Sequence, residues 1–211
     1  MRVLITGGAR SGKSRMAERI ALRRQEKGGG RVIYIATARA GDEEMEDRIE
    51  AHKKRRPKSW ETLEEELYPG RALKKRDNEG ENLKTEDTVL IDCITLLVSN
   101  YLLRFEQEES PESFEDSGGN LEDKVLSAVK KELTEILSLS EDRGFYPVFV
   151  TNEVGMGVVP PSRLGRLFRD VSGRINGMLV EECEKAYFVT AGRIIDLERI
   201  STDPFEEDEL F

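Results

Sequence analysis

A glycine-rich motif lies near the start of the chain, between a strand-like run and a helix-like run. Residues 7–14 read G-G-A-R-S-G-K-S, which matches the pattern G-x-x-x-x-G-K-[ST] of a phosphate-binding loop. The preceding run, Arg2–Thr6, is rich in aliphatic and β-branched residues, and Ser14–Lys27 repeats apolar residues at helical spacing. Because this motif requires the order strand, glycine loop, helix, the segment predicts an α/β fold that binds a nucleotide. An ordinary glycine turn before a helix is the alternative interpretation.

The residue types of this loop indicate its chemistry. Glycines allow the backbone to wrap around a polyphosphate, so that N–H groups and the positive end of the helix face it. Lys13 would neutralise the outer phosphates and act in catalysis, and Ser14 would bind magnesium. The predicted nucleotide contacts of the loop are Gly7, Gly8, Ala9, Arg10, Ser11, Gly12, Lys13 and Ser14.

Strand-like and helix-like patterns alternate along the rest of the chain. Such alternation predicts a mostly parallel sheet with helices on both faces, in a single P-loop domain that spans residues 1–211. The predicted strands are 31–36, 89–92, 146–151 and 186–190, and the predicted helices are 42–56, 121–137 with Asn120 as N-cap, and a long helix capped by Ser162.

Three charged segments show no regular pattern. Residues 71–87 and 104–120 and the acidic tail 203–211 are therefore predicted to be flexible. The two cysteines, Cys93 and Cys183, stand alone in the sequence, which argues against a zinc site or a disulfide framework.

Charge is distributed unevenly along the chain. The 211 residues carry a formal net charge of −9, yet residues 1–60 contain sixteen Lys and Arg against eight Asp and Glu. The overall acidity argues against a protein that binds nucleic acid or a membrane surface, and the first 60 residues are the better host for an anion. No run approaches the roughly 18 apolar residues that a membrane span needs, so we expect a cytoplasmic protein without such a span.

Polar residues follow two further strand-like runs. Asp92 ends the run Val89–Asp92, which we expect to be a strand neighbouring that of the phosphate loop, and is a candidate second magnesium ligand. A carboxylate that only caps the next turn is the alternative. Asn152 and Glu153 directly follow the strand 146–151 and are candidates for substrate contact or proton transfer.

His52 is the one histidine of the chain, and four cations, Lys53 to Arg56, follow it directly. Nearby positive charge disfavours the imidazolium form and stabilises developing phosphate charge. A neutral imidazole in this setting is suited to attack the α-phosphorus of a nucleoside triphosphate. A packed or surface histidine at a solvated helix end is the alternative.

These motifs together resemble the bifunctional adenosylcobinamide kinase/adenosylcobinamide-phosphate guanylyltransferase family. The matching segments are T-G-G-A-R-S-G-K-S (6–14), Y-I-A-T-A (34–38), D-x-E-M-x-x-R-I-x-x-H-x-x-x-R (42–56), W-x-T-x-E (60–64), D-C-I-T (92–95), V-T-N-E-V-G-M-G-V-V-P (150–160) and F-R-D-x-x-G-R-x-N (168–176).

The resemblance implies two reactions and a set of residues that carry them. ATP or GTP phosphorylates the hydroxyl of the aminopropanol arm of adenosylcobinamide, and GMP from GTP is then joined to that phosphate through a guanylyl-histidine, which His52 matches. It also implies a RecA-like fold, Mg²⁺, a homotrimer, and substrate contacts by Arg169 and Arg174. The implied nucleotide contacts outside the loop are Thr37, Ala38, Arg39, Lys53, Lys54, Arg55, Arg56, Glu64 and Asp92.

Two other functions are compatible with the phosphate loop alone. A P-loop kinase of another small alcohol or nucleoside would use His52 only for packing. A nucleotide-driven switch or DNA motor would need a positive track for the nucleic-acid backbone, which the overall acidity does not favour.

Overall fold

The computed structural model describes residues 1–39, 41, 43–108 and 118–202. A seven-stranded sheet forms its centre, with the strand order β3-β2-β4-β5-β1-β6-β7. All neighbouring strands pair in parallel except β6 and β7, which pair antiparallel. The strands are β1 (Val3–Gly7), β2 (Val32–Ala36), β3 (Glu61–Glu64), β4 (Thr88–Asp92), β5 (Tyr146–Val150), β6 (Lys185–Thr190) and β7 (Arg193–Asp196).

Helices cover both faces of the sheet, as the alternating pattern predicted. On one face α4, α5 and α6 pack on Leu4, Ile91 and Phe149, and on the other α1 buries Ala17 and Ala21 against the sheet. The helices are α1 (Lys13–Gly28), α2 (Glu43–Arg55), α3 (Pro69–Arg76), α4 (Ile94–Glu108), α5 (Gly118–Arg143), α6 (Arg163–Glu182) and α7 (Leu197–Ile200). The mostly parallel α/β fold is therefore confirmed.

The central strands are aliphatic because both of their faces are covered. Every residue of β1, β2 and β5 is buried, which is typical of parallel strands between two helical layers. Full burial of one such aliphatic side chain stabilises the fold by about 1.5–3 kcal/mol. This rigid sheet fixes where its strands end, and hence where the following residues lie.

Residues 71–87 were predicted to be flexible and without regular structure. This prediction is wrong for their first part, which is helical. Helix α3 and a further helical turn, Asp77–Glu81, occupy 69–81, and Leu73 is fully buried. The buried carboxylate of Asp77 accepts hydrogen bonds from Leu83 N at 2.9 Å and Arg143 Nε at 2.9 Å, which fixes the end of this segment. A helix of two turns is too short for its apolar repeat to be recognised in sequence.

The segment 104–120, which was predicted to be flexible, overlaps a helix at each end. Helix α4 runs to Glu108, and α5 begins at Gly118, two residues before the predicted cap Asn120. Residues 109–117 lie outside the described residues, as does the acidic tail 203–211. Ser162 does cap α6, since its hydroxyl accepts a hydrogen bond from Gly165 N. Within the described residues, no helix is long and apolar enough to cross a membrane.

Candidate active site

The parallel strands place their carboxyl ends along one edge of the sheet. β1 ends at Gly7, β2 at Ala36 and β4 at Asp92, and the pairing aligns Ala36 with Asp92. The phosphate loop therefore shares an edge with the residues that follow the other parallel strands. Open α/β sheets bind their ligands at this edge.

Two glycines with positive φ shape the phosphate loop. Gly7 has φ 152°, and a Cβ added there would lie 2.2 Å from the carbonyl oxygen of Val189 on β6. Gly12, with φ 103°, precedes α1 and provides no side-chain cap for that helix. The first N–H groups of α1 can therefore bind an anion, with the positive end of the helix dipole behind them.

The side chains around this loop also suit a phosphate. Lys13 is only 7% exposed, and its Nζ donates a 2.9 Å hydrogen bond to the carbonyl oxygen of Gly8. The hydroxyls of Thr6 and Ser11 are buried without a hydrogen-bond partner. Since buried polar groups are nearly always paired, such unsatisfied hydroxyls at a helix N-terminus favour a polar ligand.

Asp92 lies farther from the phosphate loop than we expected. It was predicted to end a strand next to β1, but β5 lies between β4 and β1, so two strand spacings, about 10 Å, separate the two strands. The reason is that the order of strands in the sheet differs from their order in the sequence. Asp92 still stands at the same edge as the loop, across β5.

Magnesium fits this arrangement as an ion shared with phosphates. Among the described residues, no group of three or more His, Cys, Asp and Glu could hold a metal alone. Mg²⁺ is commonly bound by one or two protein oxygens together with water and substrate phosphates. Asp92 and the hydroxyl of the half-buried Ser14 would supply such oxygens.

Tyr34 connects Asp92 to Arg56, the cation that directly follows α2. Its hydroxyl donates a 2.7 Å hydrogen bond to Oδ2 of Asp92, and Arg56 stacks with its guanidinium carbon 3.4 Å from the ring centroid. Burial, together with the charge of Asp92, raises the pKa of Tyr34, so the phenol keeps its proton and remains a donor. Nε and Nη1 of Arg56 are buried without a hydrogen-bond partner.

His52 is half-buried on α2 within the electrostatic field of this cluster. Burial lowers its pKa from the ordinary value of 6.5, the charges of Asp92 and Glu18 raise it, and Arg55 and Arg56 lower it. Nη2 of Arg55 lies 3.4 Å from Nδ1 of the imidazole. With a net lowering, the ring is neutral at pH 7, which is the form that can act as a nucleophile.

The other cations of α2 are held by acidic side chains. Lys53 pairs with Glu64 at the end of β3, Lys54 pairs with Glu50 at 2.8 Å, and Arg55 pairs with Glu18 of α1 at 3.1 Å. The two pairs of Lys53 and Lys54 are exposed and each contributes little, about 0–1 kcal/mol, so a polyphosphate can replace their carboxylates at low cost.

The turn that follows β5 is held from two helices. The backbone N–H of Asn152 donates to Oγ1 of Thr95 at 2.6 Å, and its carbonyl oxygen accepts from Nδ2 of Asn176 at 3.0 Å. The backbone N–H of Glu153 donates to the carbonyl oxygen of Gly7 at 3.0 Å. Asn152 and Glu153 therefore lie next to the phosphate loop, and their role in substrate contact or proton transfer stays a prediction.

Comparisons with known proteins agree with this geometry. A family model described as cobinamide kinase/cobinamide phosphate guanyltransferase matches residues 3–197. The chain belongs to this family. It is similar to the bifunctional adenosylcobalamin biosynthesis protein CobU of Escherichia coli strain K12, with 35% identity over 91% of this chain and 97% of that protein.

Two more relatives of the family show the same extent of similarity. CobU of Salmonella typhimurium strain LT2 is 35% identical over 91% of this chain and 97% of its own length. The bifunctional protein CobP of Pseudomonas aeruginosa strain PAO1 is 39% identical over 91% of this chain and 94% of its own length. The resemblance inferred from the motifs is confirmed, and the chain is a transferase of the cobinamide kinase and guanyltransferase family.

Some predicted contacts of this family are engaged elsewhere in the structure. The hydroxyl of Thr37 is fully buried, where it accepts from Cys93 N at 2.8 Å and donates to Cys93 O at 2.7 Å. In this arrangement its side chain joins the ends of β2 and β4 and does not face a ligand. Ala38 is half-buried and Arg39 is exposed beside Glu66, at 3.8 Å.

The two arginines predicted to contact substrate both lie on α6. Nε of Arg169 is 3.0 Å from Asp170, and Nη1 of Arg174 is 3.2 Å from Glu122 on α5. Arg174 lies more than one helical turn further along α6 than Arg169, so the structure does not bring these two together. Their contact with substrate stays a prediction.

Three residues of the site were not recognised from sequence as site residues. Tyr34 donates a hydrogen bond to Asp92, and the charge of Glu18 raises the pKa of His52. Asn176 holds the turn after β5, and its Oδ1 accepts a hydrogen bond from Thr151 Oγ1 at 2.7 Å. A tyrosine within an otherwise aliphatic strand was the available signal for Tyr34, because its hydroxyl needs a partner when buried. Glu18 and Asn176 carry no such local signal.

Proposed function

We propose that this chain phosphorylates adenosylcobinamide and then transfers GMP to the product, forming adenosylcobinamide-GDP. The observation that carries the proposal is a half-buried His52 whose Nδ1 lies 3.4 Å from Nη2 of Arg55 and whose pKa the charges of Asp92 and Arg56 also affect. Asp92 ends β4 at the sheet edge that also holds the phosphate loop. Membership of the cobinamide kinase/cobinamide phosphate guanyltransferase family supports both reactions.

The kinase step would take place at the phosphate loop. The hydroxyl oxygen of adenosylcobinamide bonds to the γ-phosphorus of ATP or GTP, the bond to the leaving diphosphate breaks, and the hydroxyl proton is released. Lys13 and the N-terminus of α1 would neutralise the transferred group, since the lysine is buried at that helix end. Mg²⁺ held by Ser14 and Asp92 would supply further neutralisation of phosphate charge.

The guanylyl step would use His52 as a covalent carrier. Its ring nitrogen bonds to the α-phosphorus of GTP and pyrophosphate leaves; a phosphate oxygen of adenosylcobinamide phosphate then bonds to that phosphorus and releases the histidine. Arg55, whose Nη2 lies 3.4 Å from the ring, and Arg56, whose charge also lowers the pKa of His52, would stabilise the charge that develops on the phosphate oxygens. The buried, partnerless nitrogens of Arg56 suit such a role.

Three further properties belong to this proposal. We propose Mg²⁺ as the cofactor and GTP and ATP as co-substrates. We also propose that the chain assembles as a homotrimer, and only the family resemblance supports this assembly. We also propose a cytoplasmic location, where both nucleotides are supplied. Sedimentation equilibrium of the purified protein tests the trimer directly.

The covalent intermediate gives the sharpest test. The protein is incubated with GTP labelled at the α-phosphate and Mg²⁺, denatured, and examined for label that acid releases and base does not. His52→Ala should abolish this label while most phosphorylation of cobinamide by ATP remains, and Lys13→Ala should weaken both reactions. Absence of label despite measurable GTP binding, or equal loss of both activities in His52→Ala, would contradict the histidine carrier and favour a kinase without guanylyl transfer.

A further inference from the structure

The connection between β5 and α6, which we call the β5–α6 loop (residues 152–162), exposes large apolar side chains. Met156 is 82% exposed, Val158 96% and Val159 58%. Three such residues within four positions of the chain concentrate exposed apolar surface, whereas an ordinary surface exposes such residues singly.

Hydrogen bonds hold both ends of this loop. At its start, the N–H of Glu153 donates to the carbonyl oxygen of Gly7, and Oε1 of Glu153 accepts from the N–H of Gly155. At its end, Nη1 of Arg166 donates to the carbonyl oxygens of Pro160 and Pro161, at 3.2 and 2.7 Å. The apolar side chains are therefore presented to solvent by a loop whose two ends are fixed.

The β5–α6 loop borders the phosphate loop, because Glu153 is hydrogen-bonded to Gly7. The other described connections at this edge differ: residues 37–39 end in an exposed arginine, α4 begins at once with the buried Ile94, and β6 and β7 are joined by the turn Ala191–Gly192. Among the connections that the structure describes at this edge, the β5–α6 loop alone exposes large apolar side chains.

The size of the patch fits a ligand better than a protein partner. Three exposed side chains present on the order of a few hundred Å². A stable protein interface buries about 800 Å² on each partner. The acceptor of the proposed reaction, in contrast, is a broad corrin plate whose rim carries methyl groups besides its amide side chains, and only one of its arms needs to enter the phosphate loop.

We propose that Met156, Val158 and Val159 form the surface on which the corrin macrocycle rests while its hydroxyl or phosphate arm reaches the phosphate loop. This inference rests on the proposed function, since it assigns the acceptor of that same site. The apolar side chains contact the methyl-rich edge of the macrocycle, and Asn152 and Glu153 lie between it and Gly7. The loop thereby provides affinity for the acceptor and takes no part in the reaction with GTP.

The test uses the double variant Met156→Ser/Val158→Ser and the control Ile200→Ser, which removes an apolar side chain of 63% exposure from α7. Equilibrium dialysis measures cobinamide binding from the absorbance of the corrinoid. We expect the Kd of the double variant to rise about tenfold or more, because two apolar contacts are lost, and that of Ile200→Ser to stay within twofold of wild type. The yield of base-stable guanylylated protein with GTP should be unchanged in both variants.

Four outcomes decide between the alternatives. A cobinamide Kd within twofold of wild type in the double variant overturns the inference. A lower sedimentation coefficient for that variant would assign the patch to contact with a second copy of the chain. A reduced yield of guanylylated protein would assign the patch to nucleotide binding. Either result also overturns the inference. If wild-type protein neither binds nor phosphorylates cobinamide, the proposed function itself fails, and the inference with it.

Discussion

The hydroxyl of Tyr34 donates a 2.7 Å hydrogen bond to Oδ2 of Asp92 and so links β2 to the end of β4. Because Arg56 stacks on the same ring, one buried side chain contacts both the candidate metal ligand and one of the four cations that follow His52. Tyr34 thus connects the part of the site assigned to phosphoryl transfer with the part assigned to guanylyl transfer.

We expect Tyr34→Phe to fold and to lose activity. The ring keeps its packing and its contact with Arg56, but Asp92 loses the donor that orients it. The free energy of unfolding should fall by about 1 kcal/mol. Phosphorylation of cobinamide should slow about tenfold, and a higher Mg²⁺ concentration should be needed for half-maximal activity. Thermal denaturation and kinase rates over a range of Mg²⁺ concentrations measure both effects.

Tyr146→Phe is the matched control for this prediction. Tyr146 is a buried tyrosine at the opposite end of a parallel strand, where its ring contacts Arg24. Its loss of a hydroxyl should leave the Mg²⁺ dependence unchanged. An identical response of the two variants would show that the hydroxyl of Tyr34 has no specific role at Asp92.

The charge of Arg55 should set part of the pH dependence of guanylylation. His52 reacts in its neutral form, so labelling by GTP declines as the pH falls through the pKa of the imidazole. Since burial and Arg55 lower that pKa, while Asp92 and Glu18 raise it, Arg55→Gln should raise it and move the acid limb to higher pH. Single-turnover labelling with GTP between pH 5 and 8 measures the shift.

Lys54→Gln serves as the control because it removes the same charge from the same helix. Lys54 pairs with Glu50 and is not among the groups that shift His52. The pH profile of Lys54→Gln should match that of wild type. Because the nucleotide titrates in the same way with every variant, this control separates its titration from that of His52. If both variants shift equally, a general change in charge, rather than the contact between Arg55 and His52, controls the profile.

Asn176 should be required to place the turn after β5. Asn176→Ala removes the acceptor for Thr151 Oγ1 and the donor to the carbonyl oxygen of Asn152, both in a largely buried setting. We expect the free energy of unfolding to fall by about 1–3 kcal/mol. We also expect the KM for cobinamide to rise more, relative to wild type, than the KM for ATP. Urea denaturation and steady-state kinetics provide these quantities.

Ser172→Ala, one turn earlier on α6, tests whether this loss is specific. The Ser172 hydroxyl is buried without a hydrogen-bond partner, so its removal should be neutral or slightly stabilising. A comparable destabilisation by both variants would mean that α6 responds to any substitution, and the hydrogen bonds of Asn176 would then have no special part.

The local motifs identified most of the fold and site because they carry their own physical signature. The phosphate loop has glycines at positions of strongly positive φ, Gly7 and Gly12, and the buried parallel strands need aliphatic runs, so both are visible in sequence. The position of Asp92 across β5 was not visible, because strand order depends on packing between distant segments. The same holds for the partners of His52, since Glu18 and Asp92 come from α1 and β4.

Gly7 should tolerate no side chain, whereas its neighbour Gly8 should. In Gly7→Ala the new Cβ would lie 2.2 Å from the carbonyl oxygen of Val189, a backbone atom of β6 that cannot move without breaking the sheet. We expect a loss of several kcal/mol in stability, about 3 or more, or failure to fold. In Gly8→Ala no heavy atom lies within 4 Å of the new Cβ, so the free energy of unfolding should change by less than about 1 kcal/mol. Urea denaturation of the two variants measures this difference, and equal stability of both would show that β6 does not press against the phosphate loop at Gly7.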